Sequence, residues 1–134
     1  MPYLIDSDWV IDYLGQEAEA LQLVDRLAQE GIAISIVTYM EVYQGVLRSQ
    51  DANAASAQFE ALVAAIPVLP FSRPVAERCA QLRESLRKQG KRPQQRALDL
   101  IIAATALTYD LVLVTRNIAD YQDLPGLVLY QPRR

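Results

Sequence analysis

The stretch LDLIIAATALTYDLVLVT, residues 98–115, decides the fold. Its first ten residues are apolar at nearly every position, so they read as a helix buried on all sides rather than one with a wet face. LVLVT follows almost at once, a short run without polar alternation, which marks a strand covered on both faces. A buried helix leading into a doubly covered strand is the unit of a parallel sheet, because parallel strands must be joined by crossovers, usually helical.

The same unit recurs on both sides. YLID (3–6), IAIS (32–35) and VLPF (68–71) read as further short buried strands, and LVLY (127–130) as a fifth. Helical spacing fills the gaps between them: SDWVIDYL (7–14), capped by Ser7 or Asp8, then EAEALQLVDRLAQEG (17–31), VTYMEVYQGVLRS (37–49) and ANAASAQFEALVAAI (52–66). PVAERCAQLRESLRKQG (74–90) carries Pro in its first turn and Gly at its end. Residues 88–96 are the only long polar loop. The expectation is an α/β fold: a three-layer α/β/α sandwich with a short, mainly parallel sheet, forming a single domain over residues 1–134. Hydrophobic residues make up 51% of the chain, enough to fill such a core.

Composition removes several chemistries. There is no histidine, which excludes Ser-His-Asp and Cys-His catalysis, histidine acid–base ribonuclease chemistry and His-ligated zinc. Any metal site must use oxygen ligands, which favours Mg²⁺ or Mn²⁺. The single cysteine, Cys79, lies in a helical pattern and reads as a buried structural thiol. No apolar run approaches the roughly 20 residues of a membrane span, and MPYLIDSDWV lacks the basic region and cleavage site of a signal peptide. The expected location is cytoplasmic.

The net charge of −3 hides an asymmetry: −8 over residues 1–67 and +5 over residues 68–134. The basic residues concentrate in RESLRKQGKRPQQR (83–96), where Arg83, Arg87, Lys88, Lys91, Arg92 and Arg96 face only Glu84. This stretch is either a solvated helix face with its trailing loop or a phosphate-binding ridge. It runs directly into Asp99.

In open α/β sheets the working residues gather outside the carboxyl ends of the strands, near the point where strand order reverses. Four acids pass that test. Asp6 ends the first strand, Glu41 lies early in the helix after the second, Asp99 begins the helix feeding the fourth, and Asp120 follows that strand by a short loop. Each has a plainer reading. Asp6 and Asp99 suit helix caps, Glu41 an exposed helix position and Asp120 a turn. Four converging carboxylates would repel one another by several kcal/mol at an effective dielectric of about 20. A divalent cation makes such a cluster tolerable.

In order and spacing, YLIDSDWVIDYL, SIVTYMEVYQGV, DLIIAATAL and LVTRNIADY resemble the PIN-domain ribonucleases, and within them the VapC-type toxins of bacterial toxin–antitoxin pairs. The resemblance implies Asp6, Glu41, Asp99 and Asp120 as an acidic quartet, with Thr115 and Asn117 lining the site. Asp6 and Asp99 would be the main Mg²⁺ ligands, with Mn²⁺ as a substitute, and a metal-activated water would hydrolyse RNA. Arg116 or the basic loop, through Arg87, Lys88, Lys91 and Arg92, would steady the RNA backbone. Asp8 stands where the family often has Asn, and Tyr121 where it often has Phe. In some relatives the fourth acid stands nearer the strand, at the place of Asn117, which would leave Asp120 outside direct ligation. The resemblance also implies a homodimer inhibited by a cognate antitoxin whose segment lies along the active-site groove. Trp9, Tyr13, Tyr39 and Tyr43 would suit such a segment if exposed, or else pack in the core.

Two other readings stay open. LIDSDWV contains the strand-terminal D-x-D of aspartyl-phosphate phosphotransferases and phosphatases, with Asp6 as nucleophile, but Val10 stands where that family expects Thr. A degenerate domain that only binds RNA or protein is the other, against which the presence of all four acids argues.

Overall fold

A computed structural model describes residues 2–131. Four strands, β1 (Tyr3–Ile5), β2 (Ile32–Ser35), β3 (Val68–Leu69) and β4 (Val112–Val114), form one parallel sheet in the order β3-β2-β1-β4. Leu4 pairs with Ala33 on one side and with Leu113 on the other. The helices are α1 (Ser7–Leu14), α2 (Ala18–Ala28), α3 (Ile36–Arg48), α4 (Ala52–Ala65), α5 (Arg73–Lys88) and α6 (Ala97–Thr108).

Strand alternation separates two cores. Leu4, Ala33 and Leu113 face α5 and α6, joining Val75, Leu86 and Leu100. Ile5, Ile34 and Val114 face the opposite side with Trp9 and Val10 of α1, Leu27 of α2 and Phe59 of α4. Because successive side chains of a strand point to opposite faces, wholly apolar strands are what two helical layers require. This is the expected three-layer sandwich. Cys79 is buried and free, as its helical position implied. No helix among the described residues is long and apolar enough to cross a membrane.

Three local expectations are corrected. LVLY forms no strand: only Leu129 bridges to Leu113, through bonds from Leu113 N–H to the Val128 carbonyl and from Tyr130 N–H to the Leu113 carbonyl, both 2.9 Å. Pro125 and Gly126, the latter at φ +81°, turn the chain just before it, and Val128 is left 59% exposed. The loop over 88–96 is not wholly irregular, since Pro93–Arg96 form a 3₁₀ turn that runs into α6. The cap of α1 is neither Ser7 nor Asp8 but Asp6, whose carboxylate accepts the Ser7 N–H at 2.8 Å.

Candidate active site

The strand order places the reversal between β1 and β4: β2 and β3 build outward on one side of β1, and β4 returns to the other. Asp6 and Thr115 are the residues immediately beyond the carboxyl ends of these two strands. Thr115 Oγ1 donates to Asp6 Oδ2 at 2.7 Å, and Asn117 N–H donates to Thr115 Oγ1 at 3.1 Å. Asp6 is only 3% exposed. Burial pushes its carboxyl above the ordinary value; bonds from Thr115, Ser7 and Tyr121 oppose this, and the charge of Asp8 adds to it.

Asp99 lies in the first turn of α6 but does not cap it, since that helix has no side-chain cap. The side-chain bond it makes is to the Tyr121 hydroxyl, 3.2 Å from Asp99 Oδ1. The same hydroxyl lies 3.3 Å from Asp6 Oδ2. The two carboxylates therefore flank one phenol oxygen, and at that spacing their repulsion is on the order of 2–3 kcal/mol at an effective dielectric of about 20. Burial, then the charges of Asp6 and Asp120, raise the Asp99 carboxyl, while Tyr121 and Arg96 lower it. Burial and both carboxylates keep the Tyr121 phenol protonated far above its usual range.

Glu41 enters from α3. Its Oε1 is buried without a hydrogen-bond partner. Burial raises its carboxyl first, the Ser7 hydroxyl pulls it down, and Asp6, Asp99 and Asp8 raise it further. Glu41 Oε1 is thus an uncommitted acceptor close to the Asp6, Asp8 and Asp99 carboxyls, an all-oxygen set that could hold a cation. Asp120 stands apart: it is exposed, in the turn Ile118–Asp120, and meets the others through its charge on Asp99.

Among the described residues, no three acidic or cysteine side chains form a ready-made metal cage. Mg²⁺ takes oxygen donors and is bound through one or two carboxylates together with waters and substrate phosphate. With oxygen donors only, a pair of facing carboxylates and an uncommitted Glu41 oxygen, the residues present fit such an ion.

Other expected residues lie elsewhere. Arg116 turns from the carboxylates: its guanidinium covers the Trp9 ring at 3.9 Å and pairs with Asp12 at 3.0 Å and Glu17 at 3.6 Å. Asp12 of α1 and Glu17 just before α2 are thus its ion-pair partners. Trp9 is buried beneath that arginine, Tyr13 and Tyr39 are half-buried, and of the four aromatics only Tyr43 is exposed. In the basic stretch, Arg87 binds Glu84 at 2.6 Å, while Lys91 at 2.6 Å and Arg96 at 2.8 Å both bind Asp123. Arg96 also donates to the Asp120 carbonyl, tying the start of α6 to the 3₁₀ turn. Lys88 and Arg92 are exposed and enter no ion pair among the described residues.

Sequence reasoning missed Tyr121 and Asp8 as members of the site. Asp8 accepts the Trp9 N–H at 2.7 Å and the Arg116 N–H at 2.8 Å, fastening the loop after β4 to α1. The available signal for Tyr121 was the single aromatic in the run RNIADYQD, at the place where the resembled family often has Phe.

The PIN domain family model matches residues 3–124. A protein of Shigella flexneri named tRNA(fMet)-specific endonuclease VapC is 29% identical over 127 residues, covering 95% of each chain. Among solved structures, a toxin–antitoxin complex from Klebsiella pneumoniae contains a chain 29% identical, with a TM-score of 0.72 and coverage of 97% of this chain and 99% of that one. VapBC2 from Rickettsia felis, bound to a DNA fragment from their promoter, gives a TM-score of 0.86 at 23% identity, covering 99% and 100%, and shares the fold.

Proposed function

The chain belongs to the PIN domain family, and on that premise we propose that it is a metal-dependent endoribonuclease acting as the toxin of a toxin–antitoxin pair. The observation that carries this reading is the pair Asp6 and Asp99 facing one another across the Tyr121 hydroxyl, beside the unpartnered Oε1 of Glu41. Asp6 and Asp99 would hold Mg²⁺ or Mn²⁺, with Glu41 and Asp120 completing the site directly or through water. The chemistry such an ion supplies when bound is acidification of an attacking water and neutralisation of charge on the phosphate. Ser7 N–H and the Thr115 hydroxyl hold the Asp6 carboxylate in place, and Glu41 Oε1 is free to orient a water by accepting its proton in a hydrogen bond. Of the four basic residues expected to meet RNA, Lys88 and Arg92 are the two outside any ion pair among the described residues, and would meet the RNA backbone.

The phosphotransferase reading is disfavoured by Val10, which stands where that family expects Thr and is buried in the apolar core with no hydroxyl to offer a phosphate.

An antitoxin partner is supported by the Klebsiella complex and by an apolar stripe on α3: Ile36, Met40, Tyr43 and Leu47 lie on one face and are 41, 50, 38 and 63% exposed. The stripe and Glu41 share that helix, so an amphipathic antitoxin segment can cover the stripe while a basic residue reaches the acids. A homodimer accompanies this reading. Expressed alone, the chain should arrest growth, Asp6→Asn should not, and co-expression of the small protein encoded beside it should relieve the arrest. Harmless expression of the active nuclease would remove the toxin assignment.

A further inference from the structure

Tyr121 is 1% exposed and packs in the α5–α6 core. A ring there needs no hydroxyl, yet this hydroxyl reaches both Asp99 Oδ1 at 3.2 Å and Asp6 Oδ2 at 3.3 Å. A phenol has one proton to donate. Asp6 already receives the Ser7 N–H at 2.8 Å and the Thr115 hydroxyl at 2.7 Å. Asp99 receives no other hydrogen bond among the described residues, and its helix takes no cap from it. The proton is therefore worth most to Asp99, and among the described residues no other hydrogen bond orients that carboxylate.

We propose that Tyr121 is a positioning residue whose hydroxyl holds the Asp99 carboxylate at a set distance from Asp6, so that a divalent cation meets a pair already oriented. The proposal rests on the metal-dependent reading above. Groups that hydrogen-bond metal ligands set ligand orientation, and their loss typically costs about 10–100-fold in metal affinity or activity. Here the cost falls on affinity. Once both carboxylates ligate, the ion itself fixes them, so the hydroxyl matters for assembling the site and not for the reaction that follows.

Metal-stripped full-length wild type, Tyr121→Phe and Tyr130→Phe distinguish these roles when titrated with Mn²⁺ by calorimetry and assayed for RNA cleavage across the same concentrations. Tyr121→Phe keeps the ring that fills the core. The Tyr130 hydroxyl bonds Arg26 at 2.6 Å, away from the acids, and serves as control. The expected result is Mn²⁺ binding at least tenfold weaker for Tyr121→Phe alone, with cleavage near wild type once Mn²⁺ saturates. Unchanged affinity overturns the proposal, as does a lowered melting temperature without an affinity change, the signature of core packing only. Cleavage that stays low at saturating Mn²⁺ overturns it too, because the hydroxyl would then act in the reaction. Wild type that takes up no Mn²⁺ defeats the metal-dependent reading as well, whereas equal uptake by wild type and Tyr121→Phe defeats this proposal alone.

Discussion

Thr115 and Asp6, 109 positions apart in the chain, are joined by a 2.7 Å hydrogen bond across the point where the sheet changes direction. The bond ties the ends of β4 and β1 and supplies a donor to a buried carboxylate. Thr115→Val keeps the shape and removes the donor. Hydrogen bonds to charged groups contribute about 1.5–3 kcal/mol, so urea unfolding at neutral pH should show a loss of that order. Thr115→Ser should recover most of it, and equal losses in both variants would mean that the methyl, not the hydroxyl, matters here.

The pH dependence of the metal-free protein follows from the direction of its shifted carboxyls. Asp6, Glu41 and Asp99 lie above their ordinary values, chiefly through burial. The folded chain therefore holds protons that the unfolded chain has released, and this contribution to stability is full below about pH 4 and lost as pH rises through the folded-state values. Asp123 works oppositely: its bonds from Arg96 and Lys91 hold it well below the usual carboxylate range, so its contribution is present above about pH 4 and lost as pH falls beneath that. Melting temperature should thus peak in mild acid and decline toward neutrality. Asp6→Asn should flatten the decline, and an unchanged slope would show that these acids are not coupled to folding.

In the basic stretch, unequal pairing predicts unequal roles. Lys91 and Arg96 are engaged by Asp123, while Lys88 and Arg92 are not paired among the described residues. Replacing both Lys88 and Arg92 by Gln should reduce the salt slope of RNA binding by about 1.4, from roughly 0.7 per phosphate contact on a single strand. Lys91→Gln should change the slope much less. The reverse ordering would move the RNA path to the Asp123 side.

The architecture was readable because strands covered on both faces cannot alternate: YLI, IAI and VLV carry no alternating polar residue, which implies helices on both sides, and the Ser35 that closes β2 caps α3. It also put Asp6 and Asp99 at one edge, since strand ends and helix starts are local features. What stayed hidden depends on partners far along the chain. Nothing near Tyr121 indicates that its hydroxyl meets Asp6 from 115 positions away. Arg116 reads as a free cation until α1 and α2 bring Asp12 and Glu17 to it, and that same packing buries Trp9. LVLY has a strand's composition, but with Pro125 and Gly126 before it the segment touches β4 at one residue only.

Cleavage of a mixed RNA pool by wild type and Asp99→Asn, each with millimolar Mg²⁺ and again with excess EDTA, decides whether Asp99 works through a metal ion. Asp99 caps no helix and bonds only Tyr121 among the described residues, so Asn leaves the fold intact and relieves repulsion with Asp6. The expected result is cleavage by wild type with Mg²⁺ alone, and none by a folded Asp99→Asn under either condition. Cleavage that persists in EDTA, or in Asp99→Asn with Mg²⁺, would contradict it.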